Sequence, residues 1–302
     1  MIFETPILLL VFNRPAHTSQ VLEVLRTLKP QNLFVVADGA RSVHPEDAEK
    51  CSQVRSLIEN VDWECNLQTL FRQENEGCGR GVAQAISWFF EQVPYGIILE
   101  DDCLPTQSFF RFCAELLPKY AENEKVMFIS GNARFSKKDI AGESDSYFFL
   151  RTSGIWGWAT WRRAWQYFDF EMQDFEANLP AVRALFLPAE ADVWEARFRE
   201  VWGQGRQDIW DYQWHYSIFK RQGLCLVPRL NLVKNIGFDA DATHTTNAKH
   251  ALAHFAGNDI SFPLQHPQEV NINLQMDKKR WKAIQKLQSN QNTWWEFLHR
   301  FF

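Results

Sequence analysis

Ile97-Ile98-Leu99 runs directly into Glu100-Asp101-Asp102, an apolar β-type stretch ending in three carboxylates. Adjacent acids repel one another and resist burial, so a fold that sets them behind a core strand must offset their charge. A divalent cation is the simplest offset. Oxygen donors suit Mg²⁺ or Mn²⁺, which keep water and take part of their shell from substrate phosphates. The alternative is a solvated acidic turn.

Other residues offer matching chemistry. Asn13-Arg14-Pro15 follows the first apolar run, where Pro15 suits a first helical position and Arg14 can present a guanidinium to an anion. Arg14 is otherwise an ordinary surface arginine. Asp38, before Gly39, either accepts a hydrogen bond from a base or ribose or makes an Asp-Gly turn. The glycine-rich Asn75-Glu76-Gly77-Cys78-Gly79-Arg80-Gly81 opens a helix and lets backbone N–H groups approach phosphate, with Arg80 in reach of a diphosphate. It has neither the P-loop ending nor the dinucleotide spacing. In Trp210-Asp211-Tyr212-Gln213-Trp214, Asp208 is expected to cap a helix whose first turn holds Asp211. The helix dipole then lowers the Asp211 pKa, making it either a weak base or a dipole-stabilising carboxylate. His244, in a loop with Asp239 and Asp241, is a metal or phosphate contact or neither.

The elements that must position these groups follow from periodicity. Apolar runs at 7–12, 33–37, 67–71, 97–99 and 126–129 read as strands, separated by stretches with apolar residues at helical spacing. Thr18 and Ser19 are expected to cap the first helix. The alternation implies a mostly parallel sheet with helices on both faces, in which ligands bind beyond the carboxyl ends of the strands. Arg14, Asp38 and Glu100 to Asp102 all fall at such ends. After about residue 150 the pattern changes to aromatic loops and isolated helices, with Trp156, Trp158, Trp161 and Trp165 close together. The organisation expected is an α/β half over 1–130, a second half over 131–275 sharing its core, and a helical tail over 276–302.

Composition narrows the function. Hydrophobic residues make up 46% of 302, enough to bury a large core. A net charge of -5 argues against a general nucleic-acid binder. The six cysteines form no CxxC pair, favouring a reducing cytoplasm and no zinc site. Thirteen Trp and 25 Phe fit a site that stacks on ring-shaped ligands, with Trp156, Trp158 and Trp210 as platforms, although core packing is the commoner use of aromatics. The tail, with Trp294-Trp295 and Phe301-Phe302, either lies peripherally on the inner face of a membrane or docks on the aromatic lobe.

Together the segments Phe12-Asn13-Arg14-Pro15, Ile98-Leu99-Glu100-Asp101-Asp102 with Pro105 and Phe109-Phe110, Gly157-Trp158 and Trp210-Asp211 resemble the GT-A nucleotide-sugar glycosyltransferases. The likeness is to the N-acetylglucosaminyltransferase I group and its bacterial nucleotide-diphospho-sugar transferase relatives. It implies a Rossmann-like GT-A fold, a mixed, mostly parallel sheet with an aromatic-rich C-terminal acceptor lobe. It also implies an inverting transfer from a UDP-sugar such as UDP-GlcNAc to a glycan or lipid-linked saccharide. Asp102 would bind Mn²⁺ or Mg²⁺ at the diphosphate, with His244 a loose match for a second contact. Glu100 and Asp101 would contact donor sugar and ribose, Asn13, Arg14 and Asp38 the nucleotide, and Asp211 would be the base. The alternatives are a sugar-1-phosphate nucleotidyltransferase, whose glycine-rich loop after the first strand is lacking, and a catalytically silent carbohydrate-binding protein.

Overall fold

A computed structural model describes residues 2–204, 208–238 and 256–289. His244 and residues 290–302 of the tail lie outside the described residues. In chain order the elements are β1 (Ile7–Val11), α1 (Pro15–Leu28), β2 (Asn32–Ala37), α2 (Pro45–Glu59), β3 (Asn66–Phe71), α3 (Val82–Gln92), β4 (Tyr95–Glu100), β5 (Cys103–Pro105), α4 (Gln107–Lys119) and β6 (Val126–Ser130). Then come β7 (Tyr147–Leu150), β8 (Trp158–Trp161), α5 (Arg162–Trp165), α6 (Phe175–Arg183), α7 (Pro188–Gln204), α8 (Asp211–Lys220), β9 (Leu224–Pro228), β10 (Val233–Asn235) and α9 (Leu274–Ser289).

Eight strands form one sheet in the order β3-β2-β1-β4-β8-β6-β9-β7. The first four are parallel, β8 is antiparallel to β4 and β6, β9 is parallel to β6, and β7 is antiparallel to β9. The expected mixed, mostly parallel α/β sheet flanked by helices is therefore present, with β7 and β8 opposing the rest. A small antiparallel ribbon pairs β5 with β10.

Alternation along each strand builds two cores. Ile7, Leu9, Val11, Leu33, Val35, Ile97 and Leu99 face one side, against α1, α2 and α4. Leu8, Leu10, Phe34, Val36 and Ile98 face the other, against α3 and the aromatic helices α6, α7 and α8. Strands buried on both faces read as unbroken apolar runs, which explains why β1, β2 and β4 were legible. Because β1 pairs in parallel with β2 (Val11↔Ala37) and with β4 (Leu10↔Glu100), the carboxyl ends of these three strands lie side by side.

Three local expectations are corrected. Neither Thr18 nor Ser19 caps α1: Arg14 is the N-cap and Thr18 Oγ1 donates to the Arg14 carbonyl at 2.9 Å. Asp208 does not cap α8; Trp210 occupies that position and Asp211 is the first helical residue. The Trp-rich stretch is no aromatic loop but contributes β8 to the middle of the sheet. The local sequence hides this strand because Trp158, Ala159, Thr160 and Trp161 are all buried, so no polar face alternates with an apolar one.

Gly96 marks how tightly α3 packs on β4. A Cβ there would fall 2.3 Å from Phe89 Cζ and 2.9 Å from the Pro6 carbonyl oxygen, so Gly96→Ala is expected to reduce unfolding free energy by about 1–3 kcal/mol. The measure is a lower urea midpoint at unchanged m-value.

Candidate active site

A cleft of about 370 Å³ opens over the adjoining ends of β1, β2 and β4. Its lining includes Arg14, Asp38, Glu100, Asp101, Asp102, Trp210 and Asp211, residues from distant parts of the chain. Arg14 reaches over the acids, with Nη1 at 3.1 Å from Asp102 Oδ2 and 3.5 Å from Asp101 Oδ1. Burial, and then repulsion from Asp102 and Asp101, pushes the Glu100 carboxyl well above the ordinary range. Burial likewise raises Asp101, against the attraction of Arg14. Both shifts show that negative charge is costly at this end of the cleft.

The segment at β10 completes the surroundings of Asp102. Asn235 Nδ2 donates to Asp102 Oδ1 at 3.3 Å, and the Ile236 amide donates to the Asp102 carbonyl at 2.8 Å. At Gly237 a Cβ would lie 2.3 Å from Asp102 Oδ2, so only glycine allows this approach. His17, one turn along α1 from Arg14, meets the Ile236 carbonyl through Nε2 at 3.1 Å. Asn235 and Gly237 were not anticipated as site residues, since nothing in a local pattern pairs residue 102 with residue 235.

The basic wall differs from expectation. Arg41 and Arg72 line the cleft, whereas Arg80 stacks over Phe170 at 4.6 Å and pairs with Glu171 outside it. Asn13 also turns to a supporting role: its Nδ2 donates to Asp47 Oδ1 at 2.7 Å, and the fully buried Asp47 accepts from Arg41 Nε at 2.6 Å and Nη2 at 3.0 Å. Asp38 is engaged by the glycine-rich turn. Its carboxylate accepts from the amides of Gly39, Glu76 and Gly77 and from Asn75 Nδ2, each at 3.0 Å. These bonds hold residues 75–77 at the cleft wall and leave little acceptor capacity for a ribose or base.

Asp211 enters from the aromatic side. Burial raises its pKa to about 7, outweighing its bonds to the amides of Asp211 and Tyr212 and the attraction of Arg197. The direction is opposite to the dipole-based expectation, because desolvation exceeds the helix-end effect here. His215, fully buried and kept neutral by burial with a pKa of about 4, donates Nδ1–H to the Asp211 carbonyl at 2.8 Å. Trp158 is not a sugar platform. It is 1% exposed, its ring stacked between Phe128 at 5.0 Å and Trp210 at 5.6 Å. The Trp210 side chain is similarly buried at 2% exposure, though the residue borders the cleft. Only Trp156 of the three expected platforms is half-buried there, edge-on to Phe238 and with the Arg134 guanidinium 5.6 Å from its ring centre.

Carboxylate oxygens suit Mg²⁺ or Mn²⁺, and the raised pKa values of Glu100 and Asp101 show that their charged forms are incompletely compensated, which a cation could remedy. Among the described residues no group of three or more His, Cys, Asp or Glu is arranged to enclose a metal. Asp102 could offer a cation at most part of its coordination shell.

No family model matches the chain, and no curated protein matches it. Solved structures with some likeness include a chain described as a glucose-1-phosphate thymidylyltransferase of Bacillus anthracis, in complex with sucrose. Identity is 8%, the TM-score 0.34, and the match covers 64% of this chain and 82% of that one. A UDP-glucose pyrophosphorylase complexed with UDP-glucose is 10% identical with a TM-score of 0.33, covering 74% and 90% of the respective chains. Mouse xyloside xylosyltransferase 1 is 10% identical with a TM-score of 0.33, covering 72% and 81%.

The Asp47 ion pair provides a test of how the basic wall is held. Hydrogen bonds from Arg41 and Asn13 outweigh the opposing effect of burial and hold the Asp47 carboxyl at about 2. With the unfolded value near 3.9, its contribution is fully present above about pH 4 and is lost as pH falls through about 2. Asp47→Asn is expected to cost about 1–3 kcal/mol at pH 7, with the difference from the parent narrowing toward pH 2 in denaturant titrations.

Proposed function

We propose that the chain is a metal-dependent glycosyltransferase. It moves a sugar from a nucleotide-diphosphate donor, a UDP-sugar such as UDP-GlcNAc, to a glycan or lipid-linked saccharide. The observation that carries this reading is the meeting in one cleft of Arg14, the acidic triplet and, from the other lobe, Asp211 with a pKa near neutrality. Arginines on one wall suit a diphosphate, and carboxylates beside them suit its cation.

In this mechanism Asp102 would hold the cation, which would supply positive charge to offset that developing on the leaving diphosphate, and Asp101 would contact the donor. Arg14 and Arg72 add positive charge at the same oxygens. Glu100, kept largely protonated by burial and its acidic neighbours, is able to donate a hydrogen bond to a sugar hydroxyl. Asp211 takes the proton from the acceptor hydroxyl as that oxygen attacks the anomeric carbon, a single displacement that inverts configuration. A carboxylate titrating near 7 is far better matched to this task than an ordinary aspartate. Trp156 offers its ring to the acceptor sugar.

The sugar-1-phosphate nucleotidyltransferase alternative lacks support at β1, where Asn13-Arg14 leads into α1 with no glycine-rich entry loop. Among the described residues no helix is long and apolar enough to cross a membrane.

Calorimetry with a panel of UDP-sugars is expected to show binding that strengthens with Mn²⁺; no binding with or without the ion would refute the transferase reading. For the base, Asp211→Asn is expected to lower transfer or donor hydrolysis by about 10²–10⁴-fold with donor affinity kept. Because the base works deprotonated, the parent rate should rise with pH through about 7 and fall below it. A variant that keeps the full rate and the same pH profile would displace Asp211 from this role.

A further inference from the structure

Resting on the reading of the cleft as a nucleotide-diphosphate site, we propose that Arg14 and the divalent cation are alternative counter-charges for Asp102. The incoming diphosphate draws Arg14 to itself, so cation and nucleotide bind as a coupled pair rather than independently.

The geometry gives Asp102 two differently occupied oxygens. Oδ1 faces Asn235 Nδ2 at 3.3 Å and Cys103 Sγ at 3.6 Å. Oδ2 accepts from Arg14 Nη1 at 3.1 Å, with the Gly237 backbone close on another side. A cation joining Asp102 must share the carboxylate with a guanidinium at hydrogen-bond distance. Two like charges so close in a pocket shielded from water repel strongly.

Arg14 cannot simply retreat with its backbone. It is the N-cap of α1, its carbonyl accepts from Thr18 Oγ1, and its side chain is 11% exposed. Its guanidinium, held by Asp102 and Asp101, can leave them only by turning its side chain toward a competing anion. A diphosphate at the cleft provides one, and its oxygens match the planar donor fork of an arginine. Once Arg14 has turned to the phosphates, Asp102 is open to the cation, and the cation in turn strengthens the phosphate's hold. Linkage makes the effect reciprocal: whatever nucleotide adds to cation affinity, cation adds to nucleotide affinity.

The test is Mn²⁺ binding to the full chain, followed by electron paramagnetic resonance of the free ion, with and without UDP. For the parent, Mn²⁺ alone is expected to bind weakly, and UDP to tighten it on the order of tenfold or more. Arg14→Met should bind Mn²⁺ alone on the order of tenfold more tightly, with the added effect of UDP shrinking toward none. Arg14→Lys keeps a charge of shorter reach and should fall between the two, which serves if the methionine variant fails to fold. Asp102→Asn should lose the binding; if it does not, the ion sits elsewhere and the inference is overturned. Unchanged or weaker Mn²⁺ binding in Arg14→Met, or undiminished coupling to UDP, also overturns it. Should Mn²⁺ bind Arg14→Met more tightly while UDP binds no form of the protein, the nucleotide reading fails and with it the coupling, but the competition at Asp102 stands.

Discussion

Three carboxylates in a row at the end of a buried strand carry more negative charge than a protein interior tolerates, and the surroundings of β4 are arranged around that excess. Arg14 comes from the start of α1 to meet two of the three, and Asn235 and the Ile236 amide close on Asp102 from β10. Gly237 leaves out a side chain so that the carboxylate and the backbone can approach. Even so, Glu100 and Asp101 remain displaced from their ordinary titration range, the signature of a site still suited to positive charge.

The opposite wall is set by aromatic packing rather than by charge. Trp158, Trp165, Trp210 and Trp214 interlock beneath the start of α8, and Trp194 lies against His215. This packing fixes where α8 begins and excludes water from around Asp211, raising its pKa toward neutrality. Trp158, Trp165, Trp194, Trp210 and Trp214 thus build a dry wall, and among the described tryptophans lining the cleft only Trp156 keeps a half-buried ring there. The same economy governs the basic side. Asp47 and Asn13 lie behind Arg41, and Asp38 anchors the turn at residues 75–77, so residues that looked like ligand contacts act mainly as supports.

How much of this was legible in the sequence varies with the range of the interaction. The strands at 7–11, 32–37 and 95–100 stood out because burial on both faces makes them continuous apolar runs. That their ends would gather Arg14, Asp38 and the triplet followed from parallel alternation alone. Strand β8 did not stand out, since four buried residues including two tryptophans read equally as loop or core helix. Nor did Arg41 and Arg72 announce themselves over Arg80, which lies in the more suggestive motif but points to Glu171.

The sequence by itself determined the α/β layering, the place of the acidic triplet at a strand end and the presence of Asp211 at a helix start. These rest on periodicity and on the geometry of neighbouring residues, which act over a few positions. Only the tertiary structure decided which arginines face the cleft, which tryptophan remains accessible, what encloses Asp102 and in which direction the Asp211 pKa moves. Those outcomes depend on desolvation and on contacts between residues far apart in the chain, 133 positions in the case of Asp102 and Asn235, and no local pattern records them.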